Sequence, residues 1–195
     1  MRAVGFFGGT FDPIHNGHMI TAQSVLKLRN LEKIIFVPCY ISPLKQDVIN
    51  SEAHYRLEML QLALEDRKNF ELSNYEIDKG GISYTIDTIK YMREKYKNIE
   101  LIIGYDNLIA FEKWYKPDDL FKLCKVIVMK RTVDTSTETN KYFSLVEFVN
   151  TPTIEISASD IRERVRSNLS IDYLVPDRVK EYIYRKGLYK KNNKL

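Results

Sequence analysis

The chain has little cysteine: among 195 residues only Cys39 and Cys124 occur, far apart and in no CxxC pairing. That excludes a disulfide framework and a cysteine-built zinc site, and it fits a reducing, cytoplasmic compartment. No run approaches the roughly 20 apolar residues of a membrane span, and "MRAVGFFGGTF" is too brief an apolar start for a signal peptide. Neither GxGxxG nor GxxxxGK[ST] occurs, so the dinucleotide fingerprint and the Walker loop are both missing. No internal repeat is present. Acid is missing from one place: residues 185–195, "RKGLYKKNNKL", hold five Lys or Arg and no Asp or Glu, and without them the net charge drops from +4 to −1. The basic balance is therefore a solvated tail rather than a nucleic-acid surface. One domain over residues 1–189, followed by a basic tail at 190–195, is expected.

What is present is enough for a sizeable core, with 44% hydrophobic residues in a chain of single-domain length. Short apolar runs alternate with longer segments of helical period. "AVGFF" (3–7), "KIIFVP" (33–38), "NFELS" (69–73), "IELIIG" (99–104), "KVIVMK" (125–130) and "TIEIS" (153–157) read as strands. Between them, residues 18–29 are helix formers, Tyr55, Met59 and Ala63 repeat with Leu60 and Leu64, and Ile86, Ile89, Met92 and Tyr96 repeat after "KGGISY". "SDIRERVRSN" and "PDRVKEYIYRK" close the chain as helices, with Pro176 suited to a first turn and Gly187 to a C-terminal stop. The polar stretch 131–143 reads as a surface loop. Strand alternating with helix predicts an α/β fold, a doubly wound parallel sheet in a single domain with a small C-terminal helical part.

One segment demands a chemical explanation. "GGTFDPIHNGH" (8–18) follows the first strand, where a parallel sheet opens its ligand crevice. Gly8 and Gly9 let the backbone approach a ligand, and a following helix offers free N–H groups and its positive dipole end. His15 and His18 are three residues apart, on one side of a first helical turn, with Gly17 keeping that surface open. Two imidazoles beside backbone donors suit a phosphoryl group and the charge that grows in displacement at phosphorus. They read as donors, not metal ligands. At the other end, Ser157 and Ser159 precede the helical "DIRERVR", where their hydroxyls, a helix N-terminus and the Arg162 fork can face one anion.

These two segments resemble the paired motifs of the HxGH nucleotidylyltransferases, "GGTFDPIHNGH" the first and "ISASDIR" (156–162) the second, usually written ISSTxxR. Within that superfamily the chain is similar to the bacterial nicotinate-nucleotide adenylyltransferases, through its length, "GGISYTIDTI" (80–89) and "GYDNLIAFEKWY" (104–115). The resemblance implies a Rossmann-like fold and transfer of AMP from ATP to nicotinate mononucleotide, giving deamido-NAD and pyrophosphate, with Mg²⁺ accompanying ATP. It implies that His15 and His18 bind the ATP phosphates and stabilise the transition state, near the backbone of Thr10 and Phe11. Ser157, Ser159 and Arg162 would hold the β- and γ-phosphates, and Gly104 and Asp106 the adenosine. Trp114 would stack on the nicotinate ring, with Tyr84, Thr85 and Tyr115 lining its pocket. Two positions depart from the pattern: Ala158 replaces a common hydroxyl, and Leu44 stands where relatives often carry His, which leaves Lys45 as the phosphate partner there.

On the residues alone two rivals stay open. One is the same fold with another acceptor, such as nicotinamide mononucleotide, phosphopantetheine or a sugar or glycerol phosphate. The other is a nucleotide-sensing or RNA-binding module without turnover, which would show steep salt dependence through the basic tail. No membrane or nucleic-acid partner is expected, and a homo-oligomer is left open.

Overall fold

The computed structural model describes residues 2–44, 50–130 and 139–190. Six strands form one sheet: β1 (Val4–Gly9), β2 (Lys33–Pro38), β3 (Phe70–Leu72), β4 (Ile99–Gly104), β5 (Lys125–Lys130) and β6 (Glu147–Asn150). Their order is β3-β2-β1-β4-β5-β6 and every neighbouring pair is parallel. The chain winds outward from β1 to β3, returns to the centre at β4, and winds out the other way. β1 and β4 therefore flank the switch point at which such sheets bind ligands.

The strands read as unbroken apolar runs because both faces of the sheet are covered. Phe7, Ile34, Phe36, Phe70 and Ile102 point into one core, which is closed by α1 (Asn16–Leu28), α2 (Ala53–Leu64), α7 (Ala158–Arg166) and α8 (Asp177–Lys186). Their alternates Val4, Phe6, Ile35, Leu101, Ile103, Val126 and Val128 feed the opposite core. That second core is closed by α4 (Thr85–Arg93), α5 (Tyr105–Ile109) and α6 (Pro117–Leu123). A short helix, α3 (Tyr75–Lys79), which the polar "NYEIDK" does not announce, links β3 to α4. The C-terminal helices belong to the first core: Val179 and Ile183 of α8 are fully buried, each contributing about 1.5–3 kcal/mol of burial free energy, and Tyr182 is buried beside them. Gly187 ends α8 at φ 63°, as its position predicts.

Two expectations are corrected. The last strand is Glu147–Asn150, not "TIEIS": β6 pairs with β5 through Met129↔Val149, and Thr151 N donates to Lys130 O at 3.1 Å where β5 ends. Residues 153–157 then pass the end of the sheet outside any strand. The expected loop 131–143 falls largely outside the described residues, but its end is a 3₁₀ turn, Lys141–Ser144, whose Tyr142 is buried and stacked on Phe121 at 5.6 Å. Among the described residues no helix is long and apolar enough to cross a membrane.

Candidate active site

The glycine–histidine segment turns over the carboxyl end of β1 as expected, and α1 starts at its far side. A Cβ on Gly9 would meet the Phe11 ring at 2.9 Å, so glycine is required by the fold of the turn itself. Phe11 sits at φ 51° with its ring buried against Phe7, Phe36 and His18. The Asp12–Pro13 peptide is cis. His15 is the N-cap of α1. Its Nδ1 accepts from His18 N at 3.4 Å, while His15 N donates to His18 Nδ1 at 3.3 Å.

This reciprocal cap, normally made by Ser and Glu side chains, stacks the two imidazoles at 3.6 Å. With both Nδ1 atoms accepting, each neutral ring carries its proton on Nε2 and keeps that donor for something else. Burial holds His15 down at about 4 and pushes His18 well below the usual imidazole range, with the neighbouring His15 ring adding to the shift of His18. Both rings are uncharged at neutral pH. A Cβ on Gly17 would meet the His15 ring at 3.0 Å. Gly17 is buried, makes room for that ring and lines the cavity beside both histidines, where a side chain would intrude.

The histidines line a cavity with Phe7, Gly8, Gly9, Gly104, Asp106 and Thr151. A second cavity begins on the other side of the switch point, lined by Thr10, Leu44, Glu76, Tyr84, Thr85, Trp114 and Tyr115. The two share Phe7, Gly8, Gly9, Gly104 and Asn107. They are two halves of one crevice, divided by the glycine ends of β1 and β4.

Gly104 is also the N-cap of α5, which puts Asp106 in the first turn with its side chain exposed at the crevice. In the second half the Tyr84 and Tyr115 rings lie 4.6 Å apart. Trp114 is half-buried and stacked on Phe111 at 4.8 Å. Tyr84 and Thr85, the N-cap and first residue of α4, line this half, and among the described residues no side chain caps the helix.

The second motif reaches the first by a different contact from the one its residue types suggest. Arg162 donates through Nη1 to the carbonyl of Asp12 at 2.7 Å and through Nη2 to Ser159 Oγ at 3.4 Å, and it is not among the residues lining the histidine cavity. Ser157 caps α7, its Oγ accepting from Asp160 N at 3.0 Å. It lines a separate surface groove that meets the histidine cavity at Ile156. The structure thus joins the two motifs without bringing all their side chains into one cavity. Lys45 lies outside the described residues.

Three supporting residues have no obvious signal in the sequence. Asp12 is 3% exposed; its carboxylate accepts from Tyr189 Oη at 2.6 Å and from Ser51 N at 2.9 Å. Arg56, 2% exposed, donates to the carbonyls of Ser51, Thr10, Cys39 and Tyr40, tying three segments of the crevice wall together. Glu76, 5% exposed, accepts from Thr88 Oγ1 at 2.5 Å. Arg56 alone left a trace: it shares a helical face with Met59, Leu60 and Ala63 of the buried stripe.

A doubly wound sheet with neutral imidazole donors and helix N-termini around a divided crevice is the site of a nucleotide-handling protein. Residues 6–164 match the family model described as cytidylyltransferase-like. The nicotinate-nucleotide adenylyltransferase of Bacillus subtilis is 41% identical over 194 residues, covering 97% of this chain and 99% of that one. Among solved structures, the Plasmodium falciparum nicotinic acid mononucleotide adenylyltransferase complexed with NaAD superposes with a TM-score of 0.78 at 21% identity. It covers 97% of this chain and 98% of that one. The same protein complexed with APC gives 0.74 at 20% identity, with the same coverage. The chain belongs to the cytidylyltransferase-like family, on the branch of the nicotinate-nucleotide adenylyltransferases.

Proposed function

We propose that this protein transfers the adenylyl group of ATP to nicotinate mononucleotide, releasing pyrophosphate and forming nicotinate adenine dinucleotide. The observation that carries the reading is the divided crevice. A stacked, neutral histidine pair lines one half, an aromatic pocket with the start of α4 in its wall forms the other, and glycine backbone lies between.

In this reading a phosphate oxygen of the mononucleotide attacks the α-phosphorus in line, and the bond from that phosphorus to the bridging oxygen of pyrophosphate breaks. The attacking phosphate is already ionised, so no general base is required. His15 and His18 present Nε2–H donors to the triphosphate and stabilise the charge that develops as pyrophosphate leaves, with the backbone from Gly8 to Phe11 close by. Arg162, which holds the Asp12 carbonyl, keeps the second motif against the first; with Ser157 and Ser159 it borders the β- and γ-phosphates. Gly104 and Asp106 meet the adenosine, Asp106 at a ribose hydroxyl. Trp114 stacks on the pyridine ring, and Tyr84, Thr85 and Tyr115 enclose it, the N–H groups that open α4 favouring its carboxylate.

Lys45 would bind the mononucleotide phosphate. Mg²⁺ would come with ATP and neutralise phosphate charge. The described residues gather no group of three His, Cys, Asp or Glu side chains for a resident ion, so the triphosphate itself would supply most of its ligands.

The test is a pyrophosphate-release assay with ATP and either nicotinate or nicotinamide mononucleotide, the product identified by mass. Nicotinate adenine dinucleotide should form with the higher kcat/KM. No pyrophosphate with either acceptor, or a preference for the amide, would overturn the reading.

A further inference from the structure

With ATP in one half of the crevice and the acceptor in the other, the new bond forms where the halves meet. Five residues line both cavities: Phe7, Gly8, Gly9, Gly104 and Asn107. Of these only Asn107 has a polar side chain. β1 and β4 pair as far as Phe7↔Ile102, so Gly9 and Gly104, each two residues further on, end their strands side by side. Asn107 stands three residues after Gly104 in α5, and a helical side chain leans back over the turn before it. Its Nδ2 lies 3.8 Å from the place a Cβ on Gly104 would occupy. The amide therefore sits over the backbone that divides the crevice. It is exposed, and among the described residues no protein group hydrogen-bonds to either of its ends.

We propose that Asn107 is a further catalytic residue, its Nδ2–H groups donating to a non-bridging oxygen of the α-phosphoryl group while the acceptor phosphate bonds to that phosphorus and pyrophosphate leaves. The histidines line only the ATP half, where the departing pyrophosphate lies. At the divide the phosphoryl group in transit meets glycine backbone and this one amide. The amide gives up no proton; it supplies a dipole where negative charge is shared between incoming and outgoing oxygens. Its shape matters less than its sign, since a carboxylate in the same place would repel both phosphates. The assignment rests on the adenylyl-transfer reading given above.

The test combines thermal unfolding and steady-state kinetics of the full chain for wild type, N107A and N107D. Because the side chain is exposed and unpartnered, N107A should keep Tm within about 2 °C of wild type. Loss of one donor to the phosphoryl group in the transition state predicts a fall of about 10- to 100-fold in kcat, with each KM within about threefold. N107D, nearly the same shape with the opposite effect on charge, should lose more kcat than N107A and raise both KM values. A packing role would not alter the response to ATP carrying sulfur in place of one non-bridging α-oxygen. Sulfur is the weaker acceptor, so wild type should turn over one of the two diastereomers more slowly than ATP. N107A should lose most of that difference, because both changes delete one hydrogen bond. A kcat for N107A within about twofold of wild type, a change confined to one KM, or sulfur effects equal in both proteins for both diastereomers would overturn the role of Asn107. An inactive wild type would instead remove the reading of the reaction itself.

Discussion

The two halves of the crevice are held in place by different parts of the chain. The histidine half is pinned from far away in sequence. Asn16 Nδ2 donates to Tyr173 O across 157 positions, Arg162 reaches Asp12 across 150, and Tyr189 reaches Asp12 across 177. The acceptor half is pinned by near neighbours, with Thr88 to Glu76 across 12, Arg56 to Cys39 across 17 and Ser83 to Tyr40 across 43. The first half is completed only when the C-terminal segments dock. The second half consists of loop ends and a helix start, elements from which the walls of binding pockets are commonly drawn.

The sharpest way to break this contrast is to empty the histidine half. His18→Ala removes one imidazole donor and its partner in the reciprocal cap. Loss of a single donor to a developing negative charge predicts a fall of about 10²–10³ in kcat, with the acceptor KM little changed and the circular dichroism of the fold retained. Near wild-type turnover would end the assignment of the histidine pair to the chemistry.

The same pair gives the half a pH signature in stability. In the unfolded chain an imidazole titrates near 6.5, whereas His15 does so at about 4 in the fold. Between those values the unfolded state binds a proton that the folded state does not. Stability is therefore full above pH 6.5 and falls as the pH drops towards 4, by about 3 kcal/mol for His15 alone. His18, shifted in the same direction, adds to the loss. Urea midpoints from pH 7 to 4 should drop steeply for wild type and less steeply for His15→Asn; equal slopes would show that the fold does not hold the ring neutral.

How far the sequence announces each half follows from the same contrast. "GGTFDPIHNGH" is legible because its chemistry is packed into one short stretch whose residue types have few other uses, and the strand–helix alternation locates it on the sheet. Tyr84, Thr85, Trp114 and Tyr115 are legible through the resemblance and do share a cavity. "TIEIS" misleads because Ile154 and Ile156 alternate like a half-buried strand, whereas they line the histidine cavity beyond the end of the sheet. Asp12 and Glu76 are illegible, and Arg56 nearly so, for a common reason. A charged residue in a polar or amphipathic segment reads as solvated, and what buries each of these is a set of partners supplied by other segments. The direct contact of Arg162 with the Asp12 carbonyl shows the limit from the other side: sequence can bring two motifs together but cannot say which atoms meet.

The acceptor half should respond to changes that leave the histidine half untouched. Trp114→Ala removes the ring proposed to stack on the pyridine. Base–aromatic stacking of about 1–3 kcal/mol predicts a rise of about 10- to 100-fold in the acceptor KM, with the KM for ATP held within about threefold. Because Trp114 also packs on Phe111, Trp114→Phe serves as the control and should recover most of the loss. A rise in the KM for ATP of the same size would mean that the two halves do not act separately.

The smallest effect lies where the C-terminal segment meets the histidine turn. Tyr189 donates to Asp12 Oδ1, and that carboxylate is buried beside the backbone carrying His15. Tyr189→Phe keeps the ring and leaves a buried carboxylate short of one donor, at a cost of about 1–2 kcal/mol, which for a chain of this size lowers Tm by about 2–8 °C. If the long-range bonds hold the histidine half in register, kcat should fall severalfold while the acceptor KM stays put, since among the described residues no hydrogen bond of Tyr189 reaches the aromatic pocket. If instead the variant loses stability with unchanged kcat, the distant bonds brace the fold alone, and the histidine pair sets its own geometry through the reciprocal cap at the start of α1. The measurement thus decides whether the catalytic register is imposed by the far end of the chain or is local to eleven residues, 8–18.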